Sequence, residues 1–444
     1  MVFGVAAVAV GAGAVRADPP ATIDPTVAAL VAKVDDVAKE VAKVRGLPLK
    51  KKIASDVVDR DQLKARLVKL ANEDKTKAQT AAEGLALKRW GLVPGDVDYE
   101  ALVIGVLDDQ IAGYYDPKIK QMTFVSSSVS SDPTWGELVL AHELDHALQD
   151  QSFDLEKYET VPDDVGDAST ARHAVVEGDG IALMIEVLLA RNGTTAPWSN
   201  PAIASLIAKE MAEPGNGDSL DRAPVVLHDQ MVFPYRAGFT FVAALRRTQP
   251  WSAIDAVFAR PPRSTEQVLH PERYLADEIP TAITIAPPPA LAAAGFAVAH
   301  STVWGELGVS GFLRTHGIAD VVATEAADGW GGDRVVVLAR GAASGGNAVT
   351  DPRRAIGLAR SAWDTEADAS EAADALEHAL DEAIVGATVH HDDTRTTWLA
   401  LDGTTAWIER RGTDVAFAIG VPAWATAAVQ AQLWTSSTSA PGKK

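Results

Sequence analysis

Residues 141–151 read Ala-His-Glu-Leu-Asp-His-Ala-Leu-Gln-Asp-Gln, two histidines four residues apart with a glutamate directly after the first. The helix this stretch predicts has apolar residues on both sides: Trp135 and Val139 with the histidines, Leu140, Leu144 and Leu148 opposite. Such a helix is central and buried. Its imidazoles and carboxylate then need partners, because burying them alone is costly. On a helix, residues four apart are rotated by roughly 40° and stand one turn apart on one face. His142 and His146 therefore present two imidazoles to one ion. Glu143 is rotated by about 100° from His142 and is placed to reach a water beside the ion, not to share the ligand position. Metal-assisted hydrolysis needs that division: zinc lowers the pKa of its water toward neutrality, and a carboxylate takes the proton. The bland alternative is a buried helix with two hydrogen-bonded histidines.

Composition narrows the choice. There is no cysteine, which excludes disulfides, thiol catalysis and thiolate-bound zinc, so a zinc site must come from His, Asp and Glu. The net charge of −20 repels phosphate backbones, and nucleic acid is not an expected partner. A chain of 444 residues exceeds one compact core, and two domains are expected. An apolar N-terminal run ending in Val15-Arg16-Ala17 suits a signal peptide over residues 1–17, although no Lys or Arg precedes it. The expected location is therefore exported, periplasmic or extracellular, with no membrane contact after signal removal.

A third ligand is required. A metzincin would carry Gly at 149 and His at 152; the chain has Gln149 and Ser152. The next helix, over 170–190, offers His-Ala-Val-Val-Glu-Gly-Asp-Gly from His173. Glu177 there gives a gluzincin arrangement. His173, four residues earlier on the same face, is the rival. Glu177 is preferred because Gly178 would let backbone approach the metal closely. Asp179 either holds a ligand histidine in its tautomer or is an ordinary helix-face carboxylate. A donor for a tetrahedral oxyanion is also needed, with Tyr235, Tyr115 and His270 as candidates. The His390-His391-Asp392-Asp393 run reads as a solvated loop.

Along the chain, Val27, Leu30, Val34, Val37, Val41 and Val44 mark an amphipathic helix over 26–46, packed on its own domain or dimerising. Residues 53–58 read as a strand. A hairpin turns at Asp116-Pro117. Loops are expected over 192–220 and 261–274, the latter with a cap at Ser264. Pro287-Pro288-Pro289 is the linker candidate. Beyond it come strand-like runs at 334–339, 397–402 and 405–410, a turn at Asp402-Gly403 and a long helix over 366–385. Residues 435–444 are expected to be a disordered tail.

Four stretches, Gly-Tyr-Tyr-Asp-Pro (113–117), the 141–151 run, Glu-Gly-Asp-Gly (177–180) and Ser-Thr-Glu-Gln-Val-Leu-His-Pro-Glu-Arg-Tyr (264–274), come in this order. Together they resemble a zincin-like metallopeptidase family of secreted or membrane-linked bacterial proteins, over roughly residues 45–385. The resemblance implies a zincin fold with zinc on His142, His146 and Glu177. Asp145 stands where the family usually has Thr, and Gly180 where it has Ala. The first should be harmless if it faces away from the ion; the second would loosen the Glu177 helix by about 1 kcal/mol. His270 lies in the stretch that matches most closely, as an oxyanion donor or a loop anchor. The expected protein is α+β: a zincin-like metallopeptidase domain over 47–285 and a smaller C-terminal α+β domain over 290–434. It would cleave peptide or protein substrates with Zn2+ and Glu143 as general base. A zincin-shaped binding or scaffold protein is the alternative, and the intact Glu143 argues against it.

Overall fold

The computed structural model describes residues 23–126, 133–162, 164–210, 219–341, 351–392, 394–436 and 438–439, with side chains except those of Asp74, Glu210, Thr438 and Ser439. The stretch read as an export signal lies outside these residues. Among the described residues no helix is long and apolar enough to cross a membrane.

Helix α1 (Pro25–Arg45) starts where the Asp24 carboxylate accepts the Thr26 N–H, with proline in the first turn, and stops at Gly46, whose φ is +83°. Strand β1 (Ala54–Val58) follows. Helices α2 (Arg60–Asp74) and α3 (Lys77–Arg89) each open on a reciprocal cap, Asp59 with Gln62 and Thr76 with Gln79. After α4 (Tyr99–Gln110), β2 (Gly113–Asp116) and β3 (Gln121–Val125) form the expected hairpin. The sheet order is β1-β3-β2, with β1 parallel to β3, so β2 is an edge strand, and all four of its residues are buried. The Ala112 carbonyl accepts the Val125 N–H at 3.0 Å. By the alternation of antiparallel pairs, the backbone groups of Gly113 and Tyr115 then face outward.

Helix α5 (Pro133–Phe153) is buried at every position from Leu140 to Asp150. The α1 stripe shares one apolar cluster with Leu140, Leu144 and Leu148. Beyond the short α6 (Leu155–Glu159) runs α7 (Gly166–Arg191). The expected loop at 192–220 contains a helix, α8 (Pro201–Glu210), for which Pro201 supplies the first turn. Helix α9 (Val225–Arg246) lies against α7 backbone to backbone. A Cβ on Gly178 would stand 2.1 Å from the Gly238 carbonyl carbon, and one on Gly238 would stand 1.9 Å from the Ala174 oxygen. Gly178 therefore serves helix packing, which corrects its expected role of bringing backbone to a metal. After α10 (Ser252–Ala259), the expected 261–274 loop is two short helices, α11 (Thr265–Leu269) and α12 (Pro271–Leu275). The Ser264 hydroxyl caps the first by accepting the Gln267 N–H.

The rest of the chain is β4 (Ala282–Ile283), α13 (Pro289–Ala293), β5 (Phe296–Thr302), α14 (Gly305–Thr315), α15 (Asp320–Ala327), β6 (Trp330–Arg340), β7 (Ile356–Trp363), α16 (Glu366–Ala383), β8 (Thr388–His391), β9 (Arg395–Leu399), β10 (Thr404–Arg411), β11 (Asp414–Pro422), α17 (Thr426–Thr435) and β12 (Thr438–Ser439). Seven of its strands make an antiparallel sheet in the order β5-β6-β7-β11-β10-β9-β8. Side chains alternate across it, as the strand period requires. Val335, Val337, Val415 and Phe417 face α14, α15 and α16; Val336, Leu338, Ala416 and Ala418 face α13 and α17. Leu85, Ala86 and Trp90, at the end of α3, sit in the first of these cores. Pro289, expected within a linker, opens α13. Thr438 and Ser439, within the expected disordered tail, pair with Ile283 and Ala282. The histidines of the 390–393 run lie on the exposed strand β8, not in a loop. The chain is thus a mixed α and β structure, and its long central helices lie in the first 250 residues.

The α7–α9 contact has no room for a side chain. Gly238→Val should cost about 3 kcal/mol, the upper range for overpacking, read as a lower urea midpoint. An unchanged midpoint would show that the two backbones are not in contact.

Candidate metal centre

Successive turns of α5 bring the His142 and His146 rings edge to face, with centroids 4.6 Å apart. Glu177, from the middle of α7, meets them. The His146 Nε2 lies 3.1 Å from the His142 Nε2, and the Glu177 Oε2 lies 3.0 and 3.5 Å from the two nitrogens. All three residues are buried. Ligands at about 2.0–2.1 Å around a tetrahedral zinc stand about 3.3 Å from one another, so the three atoms are spaced as such an ion requires. Two neutral imidazole nitrogens and a carboxylate are also a normal zinc donor set.

The electrostatics agree with a cation at this point. Burial lowers His142, and the neighbouring His146 lowers it further. Burial also opposes a charge on His146, but Glu177 and Glu143 outweigh it and raise this imidazole to about 10. Burial alone would raise Glu177; His146, His142 and His173 instead hold it well below the usual carboxylate range.

Glu143 leaves the histidine face, as the helical rotation predicts. The Tyr115 N–H, on the outward edge of β2, donates to its Oε2 at 2.9 Å. Its Oε1 is buried and has no hydrogen-bond partner among the described residues. Burial, and then the charge of Glu177, raises this carboxyl to about 8 against the pull of His146. The Tyr115 hydroxyl donates to Asp150 at 2.8 Å, and Lys120 holds the other Asp150 oxygen at 2.8 Å. Tyr115 therefore positions the glutamate through its backbone while its phenol is engaged elsewhere.

Behind the histidines lies a network that the sequence shows only in part. Asp179 does not touch a histidine. It takes a two-pronged contact from Arg45 at 2.9 and 3.0 Å, both side chains being fully buried. Gln149 connects this pair to the centre. Its amide nitrogen donates to Asp179 at 3.1 Å, to Asp145 at 2.9 Å and to the Val176 carbonyl at 3.2 Å. Its oxygen must then be the acceptor facing the His146 Nδ1, 3.0 Å away. A proton of His146 therefore sits on Nδ1, and Nε2 is the nitrogen turned toward the other two ligand atoms. Asp145 points away from the three ligands but is fully buried, and burial and then Asp179 push its carboxyl far above the ordinary range. Gln149 and Arg45 went unrecognised in the sequence. The signals were there: Gln149 is three residues from His146 on the same face, and Arg45 is four from Val41 on the apolar stripe of α1.

His173 is not one of the three converging residues. Its Nδ1 lies 2.7 Å from Glu159 and its Nε2 3.4 Å from the other Glu177 oxygen, so it braces the glutamate. Gly180 has a steric reason, since a Cβ there would lie 2.7 Å from the His142 ring. His270 does not join this centre. Its Nε2 is 3.0 Å from Glu306 and 3.7 Å from Asp328, and its stretch is anchored to α7 through Thr265, which donates twice to Asp167. Asp167 is ten residues before Glu177, about 15 Å along the helix axis. This corrects the oxyanion role considered for His270. Tyr235, from α9, stacks on His142 with ring centroids 6.3 Å apart. It also lines a cavity of about 220 Å3, together with His173.

Residues 295–430 match the model of a family described as a domain of unknown function, DUF8575. That match spans β5 to β11 and the first half of α17, and includes none of the three converging residues. No curated protein and no solved structure matches the chain.

The tautomer argument is open to test. Gln149→Leu removes the acceptor at His146 Nδ1 and should weaken zinc binding 10- to 100-fold, measured by chelator competition. Wild-type affinity in that variant would remove Gln149 from the centre.

Proposed function

We propose that the protein is a zinc-dependent peptidase of zincin-like fold, exported from the cytoplasm, with His142, His146 and Glu177 as zinc ligands. The observation that carries this is the convergence of three buried ligand atoms within 3.0–3.5 Å, beside a glutamate held by one oxygen with the other unpartnered. The resemblance carried by the four sequence stretches supports it, and the apolar N-terminal run supports export. Zinc bound there would supply Lewis acidity, polarising a scissile carbonyl and lowering the pKa of water.

The chain's own groups account for the rest. Glu143 takes the proton from the attacking water through its free oxygen and passes it to the leaving amine. Its other oxygen stays on the Tyr115 N–H, which keeps the carboxylate aimed. Gln149 keeps His146 in the ligating tautomer, and His173 steadies Glu177. Tyr235, stacked on His142 at the cavity, is the donor we assign to the tetrahedral oxyanion.

Two experiments test this. Glu143→Gln should keep one zinc per chain and lose 10² or more in casein hydrolysis, roughly the low end of general-base effects. Glu177→Ala should lose the zinc itself. Zinc-loaded protein that cleaves no peptide would end the proposal in favour of a binding role. Tyr235→Phe should lower kcat by about 10²–10³ with little change in KM or zinc content; an unchanged kcat would remove the phenol from the mechanism.

A further inference from the structure

The cavity beside the metal centre has two floor residues in contact with it: His173, 3.4 Å from Glu177, and Tyr235, stacked on His142. Its walls come from distant parts of the chain. Val103, Leu107 and Val226 line it, and so do Val303, Trp304 and Leu307. The second group stands at the start of α14, inside the region whose family has no assigned function.

That wall is fixed in place. Asp333 accepts the N–H groups of Trp304 and Gly305, each at 2.9 Å. The Leu307 N–H donates to the Thr265 hydroxyl oxygen at 3.2 Å, and Thr265 is itself bound to Asp167 on α7. The helix that carries Glu177 therefore also holds the residue 303–307 part of the lining in place.

The lining favours an apolar guest. Its charged residues are already engaged: Lys75 with Glu83, Asp229 with Arg314, Asp167 with Thr265. Two α14 glycines, Gly308 and Gly311, also line it. Among the nearest atoms to a Cβ built on Gly311, only the Asp229 Oδ2 comes within 4 Å, at 3.5 Å. The space beside Gly311 is open. A volume of about 220 Å3 falls below the roughly 300–1,000 Å3 of sites that enclose a whole drug-sized ligand, and fits one side chain of a longer molecule.

We infer that residues 303–311 complete a specificity pocket beside the metal centre, and that the pocket takes one large apolar side chain of a peptide substrate. The inference rests on the peptidase proposal for the identity of the ligand. It gives the C-terminal region a function: it selects what the metal centre meets.

The test uses zinc-loaded Glu143→Gln protein, which binds without cleaving, and the peptides acetyl-Ala-Ala-X-Ala-Ala-amide with X = Leu, Phe or Gly, by calorimetry. Burying a leucine or phenylalanine side chain corresponds to roughly 10- to 100-fold in affinity, so Leu and Phe peptides should bind at least tenfold tighter than Gly. Adding Gly311→Leu, which fills the open space, should erase that gain with zinc content unchanged. If that variant does not fold, Leu307→Ser is read in its place and should reduce the gain. Equal binding of all three peptides, or a full gain in the folded cavity variant, overturns the pocket. Cleavage is measured separately with Glu143 intact. Preference without cleavage leaves the pocket and ends the peptidase proposal; cleavage without preference does the reverse.

Discussion

The structure around the three converging residues depends on one ion pair. Arg45 and Asp179 are both sealed from solvent, a placement that costs several kcal/mol per ion unless geometry and hydrogen bonds offset it. Here they do. The guanidinium grips Asp179 with two nitrogens, touches Asp255 at 2.8 Å with a third, and lies 4.4 Å over the Trp251 ring. Gln149 satisfies the far side of Asp179. One charge thus pins α1, α7 and α10 together, and Gln149 transmits that position to His146. The amphipathic helix at the N-terminus is therefore not an appendage: its last residue sits under the site.

A second constraint acts from the other side. The Gly178–Gly238 approach sets how deeply α9 beds on α7. Glu177 precedes one of these glycines, and Tyr235 stands three residues before the other. The contact that fixes the two backbones therefore also fixes the glutamate and the phenol relative to His142. Gly180, a turn's fraction further on, leaves space for the His142 ring. Three small residues do the positioning, and none carries a functional group.

Much of this was legible in the sequence where the signal is local. The four-residue step of His142 and His146, the rotation of Glu143, the cap of α11, the β2–β3 hairpin and the Asp402-Gly403 turn all follow from spacing and turn chemistry. The preference for Glu177 over His173 also agrees with the geometry. What depends on partners distant in sequence was not legible. Asp179 was suspected, but its partner is 134 residues away; Gln149 was noticed only as a departure from another motif. His270 was judged by its neighbours in the chain, whereas Glu306 on α14 decides its role. Strands β7 and β11 were missed because sheet burial on both faces blurs the alternation that marks a half-exposed strand. Helices α8, α11 and α12 were missed because proline and polar residues at their ends read as loop.

The proposed ligands are close in sequence, with His142 and Glu177 separated by 35 positions, while the pocket wall at 303–311 lies more than a hundred residues further on. During synthesis on the ribosome, the ligands and Arg45 leave the exit tunnel well before that wall exists. On the peptidase proposal, a growing chain would hold its metal while the cleft beside it is still unfinished. Completion of the proposed pocket would fall to the last third of the protein, so that selectivity would come later in the folding chain than metal capture.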